Sequence, residues 1–282
     1  MGFSSLDSLT AAMSGGQKER VWFQKTSANA ASGVAGRWYD LFQGNGFPSA
    51  STYPGTAGVA TAMNRSTLGA LPLGPNVSPD TRHLIKLAAG TPTGTVVPGT
   101  LLLCDFLLYY PALVVTGAPT TLDNTVTLPR YTDGAGVMAM VAVQSAHGAV
   151  APSLTFTYTD QDGNSSVAPA HAAPGSSAPV STAYGALGVP FMPLAAGDAG
   201  VRKLDSYTLA SGTTGSVAAV LVKPLAEIPL IATWTMSMAN LVHELPSLER
   251  VHDDACLGFM VGPGGTLAPN AVIFGSVEWA WD

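Results

Sequence analysis

The sequence predicts an all-β fold: a jelly-roll-like β sandwich with one short N-terminal helix and long irregular loops. Short apolar or alternating runs recur between turn signals from residue 82 onward, which is the pattern of a sandwich. The chain also carries 31 Gly and 21 Pro in 282 residues, a composition hostile to long helices. Hydrophobic residues reach 47%, enough for a substantial core and incompatible with disorder. The organisation expected is an N-terminal helix with an extended arm over 1–81, followed by a sandwich domain over 82–282.

The elements follow in order. Leu6, Leu9, Thr10 and Met13 share one helical face, Ser4 or Ser5 supplies an N-cap, and Gly15-Gly16 ends the helix. So short a helix is marginal alone and is expected to dock on the body or on a neighbour. Arg20–Lys25 and Gly36–Phe42 read as first strands. Residues 43–79 show no period and are expected to be a loop or an arm lying across another subunit. His83–Leu87 fits a strand or a helix started by Ser78-Pro79-Asp80. Leu101–Tyr110 and Val137–Val143 read as buried strands. Leu154, Phe156 and Tyr158 alternate with polar neighbours, the cleanest period-2 strand, and Asp160–Asn164 follows as a turn. Ser216–Val222 and Leu230–Met238 are further strands, the second with Trp234, Met236 and Met238 on one side. Cys256–Val261 and Ala271–Trp281 are expected to form a closing hairpin around Gly262-Pro-Gly-Gly265. Residues 163–197 make a second long loop.

Charge bounds the function. Only 30 of the 282 residues are Asp, Glu, Lys or Arg, and none falls within 41–64, 134–159, 163–197 or 255–277. Soluble domains carry about a quarter charged residues, so a surface this neutral is expected to lie against neighbours. The runs 134–159 and 255–277 contain strands, where core burial explains neutrality. The loop-like runs 41–64 and 163–197 are expected to be contact surfaces. A net charge of −6 without basic clusters speaks against nucleic acid. Asp105 and Pro111 interrupt the most apolar stretch, which therefore reads as a buried strand rather than a membrane span. The N-terminus lacks the pattern of a signal peptide, and Cys104 and Cys256 read as buried free thiols of a protein made in a reducing cytoplasm.

No catalytic constellation emerges. There is no G-x-S-x-G elbow, Walker loop or dinucleotide fingerprint. Asp160-Gln-Asp-Gly-Asn164 has the acidic spacing of some Ca²⁺ loops, but His171 stands where such a loop needs a bidentate Glu. His243-Glu244 and His252-Asp253-Asp254 could gather around a metal, yet they lack H-E-x-x-H spacing and Pro246 lies between them. Ordinary turns and subunit contacts account for both, so neither metal nor cofactor is expected.

The aromatics supply the candidate contact residues: Trp22, Trp38, Tyr39, Phe47, Tyr53, Tyr184, Phe191, Trp279 and Trp281. Trp279 and Trp281 fit core or interface equally, and exposed tryptophans also suit stacking on glycans.

Gly36-Arg-Trp-Tyr-Asp40, Asn76-Val-Ser-Pro-Asp80, Leu128-Pro-Arg-Tyr-Thr-Asp-Gly134, the Ala-Cys-Leu257 segment and the aromatic C-terminus together resemble a group of tailed-bacteriophage virion proteins. That resemblance implies a structural role in the head. The major shell protein is disfavoured for want of a long spine helix. A decoration or cement protein is the expectation, located on the head surface, bound to the major capsid protein and self-associated as a dimer or trimer. A tail or receptor-binding module that reads glycans is the alternative.

Overall fold

The computed structural model describes all residues except 1–2, 30–32, 34, 149–152, 173–177, 185–187, 211–213 and 245–247. In chain order the elements are α1 (Leu6–Ser14), β1 (Lys18–Thr26), β2 (Trp38–Asp40), a 3-10 turn (Leu41–Gln43), β3 (Gly46–Phe47), β4 (Thr61–Ala62), β5 (Arg82–Gly90) and β6 (Gly99–Leu113). The middle of the chain supplies β7 (Thr120–Thr121), β8 (Met138–Ser145), β9 (Ser153–Asp160), β10 (Ser165–Val167), β11 (His171–Ala172), β12 (Thr182–Tyr184) and β13 (Val201–Ala210). The rest is β14 (Ser216–Leu230), β15 (Ser237–Asn240), the one-turn α2 (Leu241–Glu244), β16 (Leu257–Pro263) and β17 (Val272–Trp281).

The fold is the expected all-β class, with sheets packed face to face and a short N-terminal helix. A front sheet runs β15-β5-β17-β1-β3, and a back sheet runs β10-β9-β13-β7 with β11 on β9. Between them the strands β14-β8-β12-β2-β16-β6 close into an antiparallel ring, because β6 also pairs with β14. The 15-residue β6 explains why one stretch of sequence is apolar on both faces. Near its start Leu101 and Leu103 face the front sheet while Leu102 and Cys104 face the ring interior. Its β14 pairing shifts register between Pro224 and Ala226, and again between Leu221 and Val222. Between the shifts Phe106 still faces inside, and beyond them Leu108 and Tyr110 face the back sheet with Tyr109 inside. One strand pair thus builds three hydrophobic cores.

Helix α1 begins at Ser5, whose hydroxyl accepts from the Ser8 amide while the Ser8 side chain bonds back, a capping box. Leu9 packs on Ile85 and Ala280, so the helix docks on the outer side of the front sheet. The segment His83–Leu87 resolves as strand, within β5.

Four expectations are corrected. Leu230–Met238 is not one strand. β14 leaves the ring at Leu230, a turn with Trp234 at φ 59° crosses to the front sheet, and β15 pairs there with β5. Cys256–Val261 and Ala271–Trp281 do not form a hairpin: β16 belongs to the ring and β17 to the front sheet, so the Gly262–Gly265 turn carries the chain between layers. Residues 43–79 are no free arm, since Tyr53, Met63, Leu71 and Leu73 are buried against the chain's own ring. The proposed boundary at 81/82 likewise crosses continuous sheet, because β1 pairs along its whole length with β17 and β2 completes the ring.

Candidate interaction surface

The nine aromatic candidates divide by burial. Tyr39, Tyr53 and Trp279 are essentially inaccessible and Trp38 is 9% exposed, so these four are core residues and not contact residues. Alternation explains the outcome. Trp279 points from β17 into the layer between front sheet and ring, where its indole Nε1 donates to Glu19 at 3.2 Å. Trp38 fills the ring interior, and its own ring leaves no room for a side chain at Gly262. Trp281 is half-buried, and the buried Arg82 guanidinium lies 5.8 Å from the Trp279 ring and 6.0 Å from that of Trp281. Phe191 is half-buried and lines a cavity of about 430 Å³ with Met138 and Leu194. Of Tyr184 the backbone alone is described, opposite Val141. Trp22 and Phe47 remain, 59% and 55% exposed.

Trp22 and Phe47 stand on the outer face of the front sheet. Register places Met238, Ala88, Ser276 and Trp22 in one row across four strands. The next row is Gly90, Phe274, Gln24 and Phe47. Met236 and Phe274 side chains come together over Gly90, where an added Cβ would lie 3.1 Å from the Met236 sulfur. On the other side runs a charged row of Asn240, Lys86, Glu278 and Arg20. Glu278 bridges Arg20 at 2.7 Å and Lys86 at 3.5 Å. Beyond that row α1 covers the sheet. The helix therefore shields one half of the face, while on the other half the large side chains of Trp22, Phe47 and Met238 are exposed over the buried Ala88 and Ser276.

Sequence reasoning offered Trp234 only to the glycan alternative and missed Met236 and Met238; the three are 77%, 39% and 63% exposed. Their spacing fits a buried strand face as well as it fits this turn.

Behind the surface lie two buried polar clusters. Asp105 is wholly buried in the middle of β6 and accepts from Arg130 Nε at 2.8 Å and Nη2 at 2.6 Å, and from the Cys256 amide at 2.9 Å. Arg130 also donates to the carbonyls of Met63 and Phe106, both at 3.1 Å. Burial pushes the Asp105 carboxyl up, and the Arg130 hydrogen bonds and charge pull it back. In the second cluster Asp40 accepts from Tyr53 Oη at 2.7 Å, the Phe42 amide at 2.8 Å and Gln43 Nε2 at 3.3 Å. Burial raises Asp40 to about 6 despite those bonds. Burial also lowers Lys25 to about 8, with Asp40 opposing; its ammonium donates to the Pro48 carbonyl at 2.9 Å.

The polar motifs have structural partners. Asp160 Oδ1 accepts the amides of Asp162 and Asn164, both at 2.8 Å, which is turn chemistry. Asp253 binds Arg82 at 3.0 Å, and His252 sits edge-on to Tyr131 with ring centroids 5.0 Å apart. The side chains of His243, Glu244 and His171 lie outside the described residues. No metal-holding group of His, Cys, Asp or Glu occurs among the described residues. Cys104 and Cys256 are free and buried inside the ring.

No protein-family model matches the chain, and no curated protein matches it. Among solved structures, the infectious bursal disease virus Gt strain aligns at 10% identity over 94% of this chain and 80% of the other, with a TM-score of 0.18. The unassembled KI polyomavirus VP1 pentamer aligns at 11% identity over 94% of both chains, with a TM-score of 0.21. Likenesses at this level carry neither topology nor function across.

Proposed function

We propose that this chain is a structural subunit of a bacteriophage virion, a decoration or cement protein that binds non-covalently across subunits of the head shell. Its work is attachment, with the major capsid protein as partner and no catalytic step. The observation that supports this reading is the apolar half of the front-sheet face, where Trp22, Phe47, Phe274, Met236 and Met238 share one side with no covering element among the described residues. An apolar face of this kind belongs in a contact. The phage resemblance supplies the setting, and its motifs have architectural jobs here. Asp40 caps the 3-10 turn, Arg130 holds Asp105, and the Cys256 amide donates to that carboxylate.

Co-sedimentation of the protein with undecorated heads tests the reading. Attachment through an apolar, charge-poor surface survives a rise from about 0.05 to 0.5 M NaCl, because salt screens charges and leaves apolar burial intact. Release by moderate salt, or no binding to heads, overturns it. The glycan-binding alternative draws on Trp234, which stands out on its turn. Glycan-array binding abolished by Trp234→Ala, with no attachment to heads, would establish that alternative instead.

A further inference from the structure

The open half of the front sheet admits a more specific statement, which rests on the assembly reading above and assigns that face to contact between copies, leaving the rest of the charge-poor chain for the shell. We propose that it is a self-pairing face: two copies of this chain pack front sheet to front sheet through Trp22, Phe47, Phe274, Met236 and Met238, with Trp234 at the rim.

Area is the first argument. A fully exposed aromatic side chain offers about 150–250 Å². At exposures of 59% for Trp22, 55% for Phe47, 77% for Trp234, 39% for Met236 and 63% for Met238, these five contribute roughly 600 Å² of apolar surface. That equals the largest patch a typical monomer leaves uncovered, about 300–600 Å². Two such faces bury roughly 1,200 Å² before any polar rim is counted, inside the range of about 1,200–2,000 Å² for stable specific interfaces.

Shape and charge are the second. The face is an open sheet surface, and sheets stack face to face at about 10 Å with their side chains interdigitated. A two-fold axis through it brings the same patch from both copies together and closes the assembly. The cations bordering the patch, Arg20 and Lys86, share Glu278, so little charge repels a like face or steers a charged stranger. Helix α1 walls that border and confines contact to one patch. The sheet's edge strands are short, with two residues in β3 and four in β15, so edge-to-edge strand pairing offers few hydrogen bonds. The face, and not the edge, has the surface to bury.

The test is sedimentation equilibrium of the full chain from about 1 to 100 µM, with Trp22→Glu, Met238→Glu and, as a control on the back sheet, Val167→Glu. All three positions are exposed, so the variants fold, which circular dichroism checks. The wild type and Val167→Glu are expected to sediment as dimers. Trp22→Glu and Met238→Glu are expected to weaken the dimer by about 30-fold or more, as loss of an interface anchor does. A wild type that stays monomeric at 100 µM overturns the proposal, and so do Glu variants that pair as well as wild type. Head co-sedimentation of the same samples separates the two readings. Dimers that ignore heads leave the pairing standing and sink the decoration role, whereas monomers that bind heads do the reverse.

Discussion

Removing the Arg130 guanidinium is the sharpest perturbation the interior offers. Arg130→Met keeps most of the aliphatic length but deletes both hydrogen bonds to Asp105, at 2.6 and 2.8 Å, and the two to the Met63 and Phe106 carbonyls. Asp105 is then a wholly buried carboxylate with one remaining donor in the pair's place, the Cys256 amide. Breaking a buried pair from one side costs about 3–5 kcal/mol, because the other charge stays desolvated. At about 2–3 °C per kcal/mol for a chain of this length, Tm falls by about 6–15 °C. Loss of the cation also drives the Asp105 pKa further up, so the folded variant takes up a proton that its unfolded chain releases. Its stability deficit therefore shrinks as pH falls, the opposite of a salt-bridged carboxylate. Urea unfolding at two pH values and calorimetry read both effects. The double variant Asp105→Leu with Arg130→Met removes both charges and recovers most of the loss. A single-variant loss under about 1 kcal/mol, with no recovery in the double, refutes the argument.

The other expectations are more local. Asp40 is raised to about 6 from 3.8, so between those values the folded state holds a proton that the unfolded chain has lost. Stability then declines by about 3 kcal/mol as pH rises through that window, a slope that Asp40→Asn removes in urea titrations at pH 4 and 6.5. Gly258→Val overfills the ring, since a Cβ there would sit 2.7 Å from Phe106 and 2.9 Å from Phe42; a loss of about 1–3 kcal/mol in the denaturation midpoint is expected. Burial pushes the Cys104 and Cys256 thiols up, so a thiol reagent at pH 8 labels neither until denaturant is added. Labelling in the native state contradicts the closed ring.

Legibility in the sequence followed how local each cause is. The Ser5 cap and the face of Leu9 concern neighbours on one helix, and Ser153–Asp160 shows its half-buried alternation in the burial itself. Ring closure depends on β2 and β12, three residues each, whose pairing is set by what surrounds them. No period survives in so few residues. Asp105 was visible only as an interruption in an apolar run, while its partner lies 25 residues on and is brought there by the fold. Of the candidate surface, Trp22 was legible as an aromatic in the charged run Arg20–Lys25, and Phe47 as a lone aromatic in a Gly- and Pro-rich segment. Met236 and Met238 were not, because a turn at Trp234 reset the phase of an alternation that looked unbroken.

The pairing of β1 with β17 joins Lys18 to Ala280. The front sheet therefore cannot form until β17 has been made, and contacts so distant in sequence make folding slow. Until then β1 is an unpaired strand bearing Trp22, a state prone to the wrong partners. The arrangement has a compensating effect in time. Because the outer row of Met238, Ala88, Ser276 and Trp22 is assembled from four separate strands, truncated or half-folded chains cannot present it. Only a chain that has placed all four strands displays the face proposed for pairing.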